Sequence, residues 1–252
     1  MGELYRIDEG GRDVSVSEVY HLVYPYKRLN LAVQSDIVDV VERLMPIKEE
    51  LENYSMFDSF DPVLYALRYL LENTDVDFSQ ISFVDCMSFC GAASFYASAF
   101  NIKSILGIEY YKQGYDKAEE IKQKILPQVG SGSDVKFVQG SFQDYFDFSA
   151  EIVYLDCTQS ACPDTMIDEG VLLHGLFFPL CKKLLSGSFV VVVTSFVTLT
   201  SQDCLGWGID WECMSHKAVD LQNSNYSKEF KARNPRHVWI LKTSNYKHTH
   251  TP

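Results

Sequence analysis

The chain has no hydrophobic run long enough to cross a bilayer. Its longest, FVVVV at Phe189–Val193, falls far short of the roughly 20 residues a spanning helix needs. Met1–Gly10 carries charges and no apolar core, so it does not read as a secretory signal. We therefore expect an intracellular protein, nuclear or cytoplasmic, away from membranes. Positive charge is also short: 22 Lys and Arg stand against 34 Asp and Glu, a net charge of −12. Sequence-independent binding of naked nucleic acid needs a cationic surface, so that ligand class is disfavoured, whereas a basic protein partner suits the charge. The seven cysteines are an odd number without paired metal spacing. Cys86 and Cys90 sit four apart, but no second pair completes a zinc set, so we expect no metal and read buried free thiols. Internal repeats and low-complexity linkers are absent as well.

Glycine is scarce at one place in particular. The stretch FVDCMSFCGAASFYASAF, Phe83–Phe100, reads as a buried strand, a tight turn and a helix start. Nucleotide-binding turns of that kind carry several glycines, because close backbone approach and positive φ both favour the residue. Here Gly91 stands alone.

What the chain does have is alternation. Ser35–Leu44 has helical spacing with Ser35 as its cap, and Pro46 is expected to end or kink that helix. Asp61 and Pro62 open a second helix whose Val63, Leu64, Ala66, Leu67, Leu70 and Leu71 form a broad apolar face. Strands follow at Ile81–Asp85, Ser104–Glu109, Val135–Gln139, Ile152–Asp156 and Ser188–Thr194. Between them lie helices at Gly91–Phe100, at Tyr115–Leu126 before Pro127, and over Asp168–Leu185 across Pro179. Apolar strands alternating with helices imply a parallel sheet covered on both faces. Asp210–Leu221 and Val238–Thr243 read as a closing antiparallel pair. We divide the chain into an N-terminal, partly helical extension, 1–60, and a main domain, 61–252.

In such a sheet, ligands bind outside the carboxyl ends of the strands. Four ends stand out. Asp85 closes the first strand. Glu109 closes the second, about 24 positions later, where a carboxylate can accept both hydroxyls of a ribose. After the third, Ser141 and Phe142 could frame an adenine by hydroxyl and ring, though a core position suits Phe142 equally. After the fourth, Asp156-Cys157-Thr158 is a polar run that can face a reacting group or cap a helix. His174 lies in an apolar helix, His248 and His250 in a polar tail, and Arg236 and His237 near a strand start, where they could contact an anionic partner, a solvated strand end being the default reading.

This order of elements resembles the class I S-adenosylmethionine (SAM)-dependent methyltransferases over roughly Pro62–Thr243. Within them it is most similar to the disruptor-of-telomeric-silencing histone lysine methyltransferases. The closer likeness rests on FVDCMSFCG, GIEYYKQGYDKAEE, VVVVTSF and HVWILKT. The resemblance implies a mostly parallel, Rossmann-like seven-stranded α/β methyltransferase sheet with an antiparallel closing pair. It implies SAM as cofactor, held by Asp85, Gly91, Glu109, Ser141 and Phe142, with Asp156, Thr158 and Trp239 at the reacting end. It also implies a basic protein substrate, histone lysine among the candidates. An apolar aromatic channel favours the neutral amine such transfer needs. Trp207, Trp211, Trp239, Tyr20, Tyr24 and Tyr26 are candidate channel walls, for each of which a core role is the alternative.

The chain departs from that family at the loop. Met87 and Phe89 stand where the family has glycines, Ser141 replaces an acid, and Asp156-Cys157-Thr158 replaces an Asn-Asn-Phe run. Two readings stay open. One is a divergent working methyltransferase. The other is a methyltransferase-fold binding or scaffold protein that has lost the cofactor. A nicotinamide-dependent oxidoreductase fits less well, because its glycine fingerprint is absent.

Overall fold

The computed structural model describes residues 31–52, 60–159, 170–194, 211–219 and 236–243. Seven strands form one sheet: β1 (Ser82–Asp85), β2 (Ser104–Glu109), β3 (Asp134–Gln139), β4 (Ile152–Asp156), β5 (Phe189–Thr194), β6 (Trp211–Val219) and β7 (Arg236–Thr243). Their order across the sheet is β3-β2-β1-β4-β5-β7-β6. The first five are mutually parallel, and β7 runs antiparallel between β5 and β6. The sheet is therefore the mostly parallel one expected, with its antiparallel pair at one edge. The chain turns back between β1 and β4, which creates a crevice at their carboxyl ends.

Both faces are covered, which is why β4 and β5 are buried at every position. One face packs against the helices Leu31–Glu52, Phe60–Asn73, Ala92–Ala99 and Lys112–Val129. The other packs against Phe142, Phe146 and the segment Leu172–Cys181. The N-terminal helix shares the first core through Val40, Leu44, Ile47 and Leu51. Arg43 Nη1 also donates to Ala99 O at 2.8 Å, where a helix ends and its carbonyls lack partners. The helix Phe60–Asn73 is tied to β6 by Tyr69 Oη donating to Met214 O at 2.7 Å, and by a 2.6 Å bond between Tyr65 Oη and Ser215 Oγ.

Three helices depart from the sequence reading. The helix at Leu31–Glu52 begins before Ser35, so Ser35 lies inside it, and it runs on through Pro46. A proline inside a helix costs about 3 kcal/mol. Full burial of Leu44 and Ile47 on either side of it, at roughly 1.5–3 kcal/mol each, offsets that cost. The helix Lys112–Val129 passes through Pro127 and stops at Gly130, whose φ of +60° makes a left-handed cap. Before Pro179 the helix widens into a π-helical stretch, Val171–Phe177, with Phe178 N–H reaching back to Leu173 O. Pro179 has no N–H to give and crowds the preceding turn, which accounts for the widening. No helix among the described residues is long and apolar enough to cross a membrane.

Candidate functional site

Three carboxylates stand at the ends of neighbouring strands β2, β1 and β4: Glu109, Asp85 and Asp156. All three are nearly closed to solvent, at 4%, 2% and 3% exposure. Burying three acids together is costly unless each finds a partner or keeps its proton.

Asp85 does both. Its Oδ2 accepts Ser94 Oγ–H at 2.9 Å from the helix below the loop. Burial pushes its carboxyl up to about 7, against the Ser94 bond, with Asp156 and Glu109 adding smaller upward pushes. Beside it, in register on β4, the hydroxyl of Tyr154 is buried without a hydrogen-bond partner among the described residues.

Glu109 is held by backbone amides on both sides. Oε2 accepts Phe89 N–H at 2.7 Å and Oε1 accepts Tyr111 N–H at 2.7 Å. Burial raises its pKa, and these amide bonds counteract the rise. Asp156 Oδ1 accepts both the N–H, at 2.9 Å, and the hydroxyl of Thr158. Its Oδ2 faces Arg236 Nη1 at 3.5 Å.

The loop between β1 and its helix crosses these ends. Cys86 N–H donates to Tyr154 O at 2.9 Å and Ser88 N–H to Ile108 O at 3.0 Å. Phe89 and Gly91 both take positive φ, +46° and +84°. The left-handed backbone that glycines favour is thus kept at a phenylalanine. Gly91 is required by packing as well, since a Cβ there would lie 2.5 Å from the Phe137 ring.

Of the residues singled out in the sequence, Asp85, Glu109 and Asp156 stand together along one edge of the sheet, the carboxyl ends of neighbouring strands, with Thr158 bonded to Asp156 and Gly91 in the loop after β1. Ser141 follows β3, where its hydroxyl caps the short helix Phe142–Tyr145 by accepting Gln143 N–H at 3.2 Å. Phe142 is 8% exposed and points into the second core, edge-on to Phe177. Trp239 also lies in that core, covered by the imidazole of His216 at a ring separation of 3.7 Å. Trp211 packs edge-on to Phe178. Tyr20, Tyr24, Tyr26 and Trp207 lie outside the described residues.

Arg236 is the residue the sequence reading misplaced. It is 7% exposed and turned inward toward Asp156, not solvated. The signal was present: Arg236, Val238 and Ile240 alternate on one face of β7. His237, one position on, turns to the opposite face, where its Nδ1 lies 3.1 Å from His216 Nε2. Among the described residues no group of three or more potential ligands could hold a metal ion. Cys86, Cys90, Cys157 and Cys181 are buried thiols outside any disulfide among the described residues, and Cys213 is an exposed one.

No protein-family model matches the chain, and no curated protein matches it in sequence. Solved structures match it in fold. A presumed methyltransferase solved in complex with SAH (S-adenosylhomocysteine) aligns with a TM-score of 0.53 and 11% identity, over 74% of this chain and 50% of that one. The chain thus spans half that protein's length. A presumed RNA methyltransferase from Pyrococcus horikoshii aligns with a TM-score of 0.51 and 12% identity, over 74% of this chain and 84% of that one. With the strand order above, these likenesses show that the chain shares the Rossmann-like fold of these two presumed methyltransferases.

Proposed function

We propose that the chain is a SAM-dependent methyltransferase whose substrate is a lysine of a basic protein. The observation that carries this reading is Glu109, a buried carboxylate closing β2 beside the point where the strand order reverses. The donor set fits an adenosyl group. Glu109 accepts the amides of Phe89 and Tyr111, with the Tyr110 amide acting on it as well, and a carboxylate has about four acceptor positions, which leaves room for a sugar hydroxyl. The loop retains left-handed backbone at Phe89 and Gly91. Glu109, joined by Asp85 once its raised carboxyl loses its proton, gives the strand ends negative charge, which suits a sulfonium; the charge of Asp156 is met by Arg236. When bound, the cofactor supplies a methyl group in electrophilic form.

The protein's own part is then to orient and to exclude water. Glu109 fixes the sugar. Asp156, tied to Thr158 and Arg236, keeps the end of β4 in one position. The substrate amine has to arrive neutral, which a poorly solvated approach favours. The net charge of −12 suits a basic substrate, and the likeness of GIEYYKQGYDKAEE and HVWILKT to histone lysine methyltransferases supports histone as its class.

A second reading is favoured by the bond from Phe89 N–H to Glu109 and by bulk at Met87 and Phe89. It is a binding or scaffold protein that keeps the fold without the cofactor. Incubation with methyl-tritiated SAM and core histones separates the two. The enzyme reading expects label on histones, none on histones with acetylated lysines, and none with Glu109→Ala. Absence of label on every basic protein tried, with no SAM retained by the chain, would leave the scaffold.

A further inference from the structure

Phe89 holds a backbone conformation that a bulky side chain avoids. Its φ of +46° makes it one of two non-glycine residues with positive φ among the described residues. The left-handed region is disfavoured for an ordinary residue because its Cβ crowds the following carbonyl. Such strain persists where the surroundings over-determine it. Here they do. Ser88 N–H is bound to Ile108 O, Phe89 N–H to Glu109 Oε2, and Gly91 N–H to Ser88 O at 2.7 Å. The turn is stitched to the end of β2 at Ser88 and Phe89 and closed on itself at Gly91.

The Phe89 ring has no place in either core. It is 37% exposed and rests over the first turn of the helix Lys112–Val129. Gly114 makes room for it there. Phe89 Cδ2, Glu109 Cγ and Glu109 Cδ lie 3.1, 3.0 and 3.2 Å from the one point a Cβ on Gly114 would occupy. Ring and carboxylate stem therefore share one small space against the helix. Glu109 is left at 4% exposure.

We infer that the Phe89 side chain is a cap over Glu109 that sets the chain's affinity for an adenosyl ligand. This rests on the methyltransferase reading and adds to it. The backbone turn is already in the left-handed form a glycine would take, so at this position the ring is the part that has to move. A ribose can reach the carboxylate once the ring swings off the helix. A site that is open only part of the time has its apparent affinity reduced by that fraction.

The test is calorimetric titration of the full chain with S-adenosylhomocysteine, comparing wild type, Phe89→Gly and Phe89→Ala. Both variants remove the ring. Only glycine also relieves the backbone, so Phe89→Gly should unfold at a higher temperature than Phe89→Ala. The cap predicts that both variants bind about tenfold or more tightly than wild type. If wild type binds and both variants bind equally or more weakly, the cap is wrong and the methyltransferase reading stands. If neither wild type nor variants bind at millimolar ligand, both ideas fall, because an uncovered Glu109 should then have bound.

Discussion

The guanidinium of Arg236 lies 3.5 Å from the carboxylate of Asp156, and both side chains are closed to water. The two residues begin β7 and end β4, with β5 between those strands. The pair thus fastens the antiparallel edge of the sheet to the strand end that faces the crevice. Removing one partner of a buried ion pair strands the other charge, at a cost of about 3–5 kcal/mol. Arg236→Met should lower unfolding stability by that amount in urea titrations. Adding Asp156→Leu to Arg236→Met should restore much of it, since two apolar side chains leave no stranded charge. A double variant as unstable as the single one would show that Arg236 acts through other contacts.

Gly107 in the middle of β2 is fixed by one ring. A Cβ there would stand 2.3 Å from Phe137 Cδ1, and Phe137 itself is wedged edge-on against Phe95. Gly107→Ala should therefore destabilise by about 1–3 kcal/mol through overpacking. The loss should be smaller in a Phe137→Leu background, where the blocking ring is gone. A double-mutant cycle measures this coupling, and additive losses would contradict it.

Asp85 should make stability depend on pH in a direction unusual for an aspartate. Unfolded, its carboxyl releases a proton near its ordinary value of 3.8; folded, burial holds the proton to about 7. The folded state thus binds more protons across that interval. The stabilisation is fully present below the unfolded value and is lost as pH rises through the folded one. The loss amounts to roughly 4 kcal/mol by pH 8. Asp85→Asn keeps an acceptor for Ser94 and cannot ionise, so it should be more stable than wild type at about pH 8 and flatter with pH. Glu109, raised in the same direction, leaves a residual slope of the same sign. Urea titrations at about pH 5 and about pH 8 give both values.

Much of this arrangement was legible in the residues. Period-two and continuous apolar runs placed β2 and β4 at their observed limits, Ser104–Glu109 and Ile152–Asp156, and the end of β1 at Asp85, and with them all three strand-end acids. Proline was the poorer guide. Pro46 and Pro127 both lie inside helices, because Leu44, Ile47 and Ile125 are buried beside them and tertiary burial outweighs local preference. The site's internal bonds were not legible at all. Whether Phe89 N–H meets Glu109 depends on one backbone angle, and a phenylalanine gives no hint of positive φ. Ser94 and Asp85 are nine positions apart and meet only because strand, turn and helix fold back together.

The account stands on Glu109 gripping a ribose. Calorimetric titration of S-adenosylhomocysteine into wild type and Glu109→Ala measures that contact most directly. Two charge-assisted hydrogen bonds, at about 1.5–3 kcal/mol each, should disappear with the carboxylate. Wild type should therefore bind at least about a hundredfold more tightly than Glu109→Ala. Equal affinity in the two proteins, or no binding to either, would contradict it.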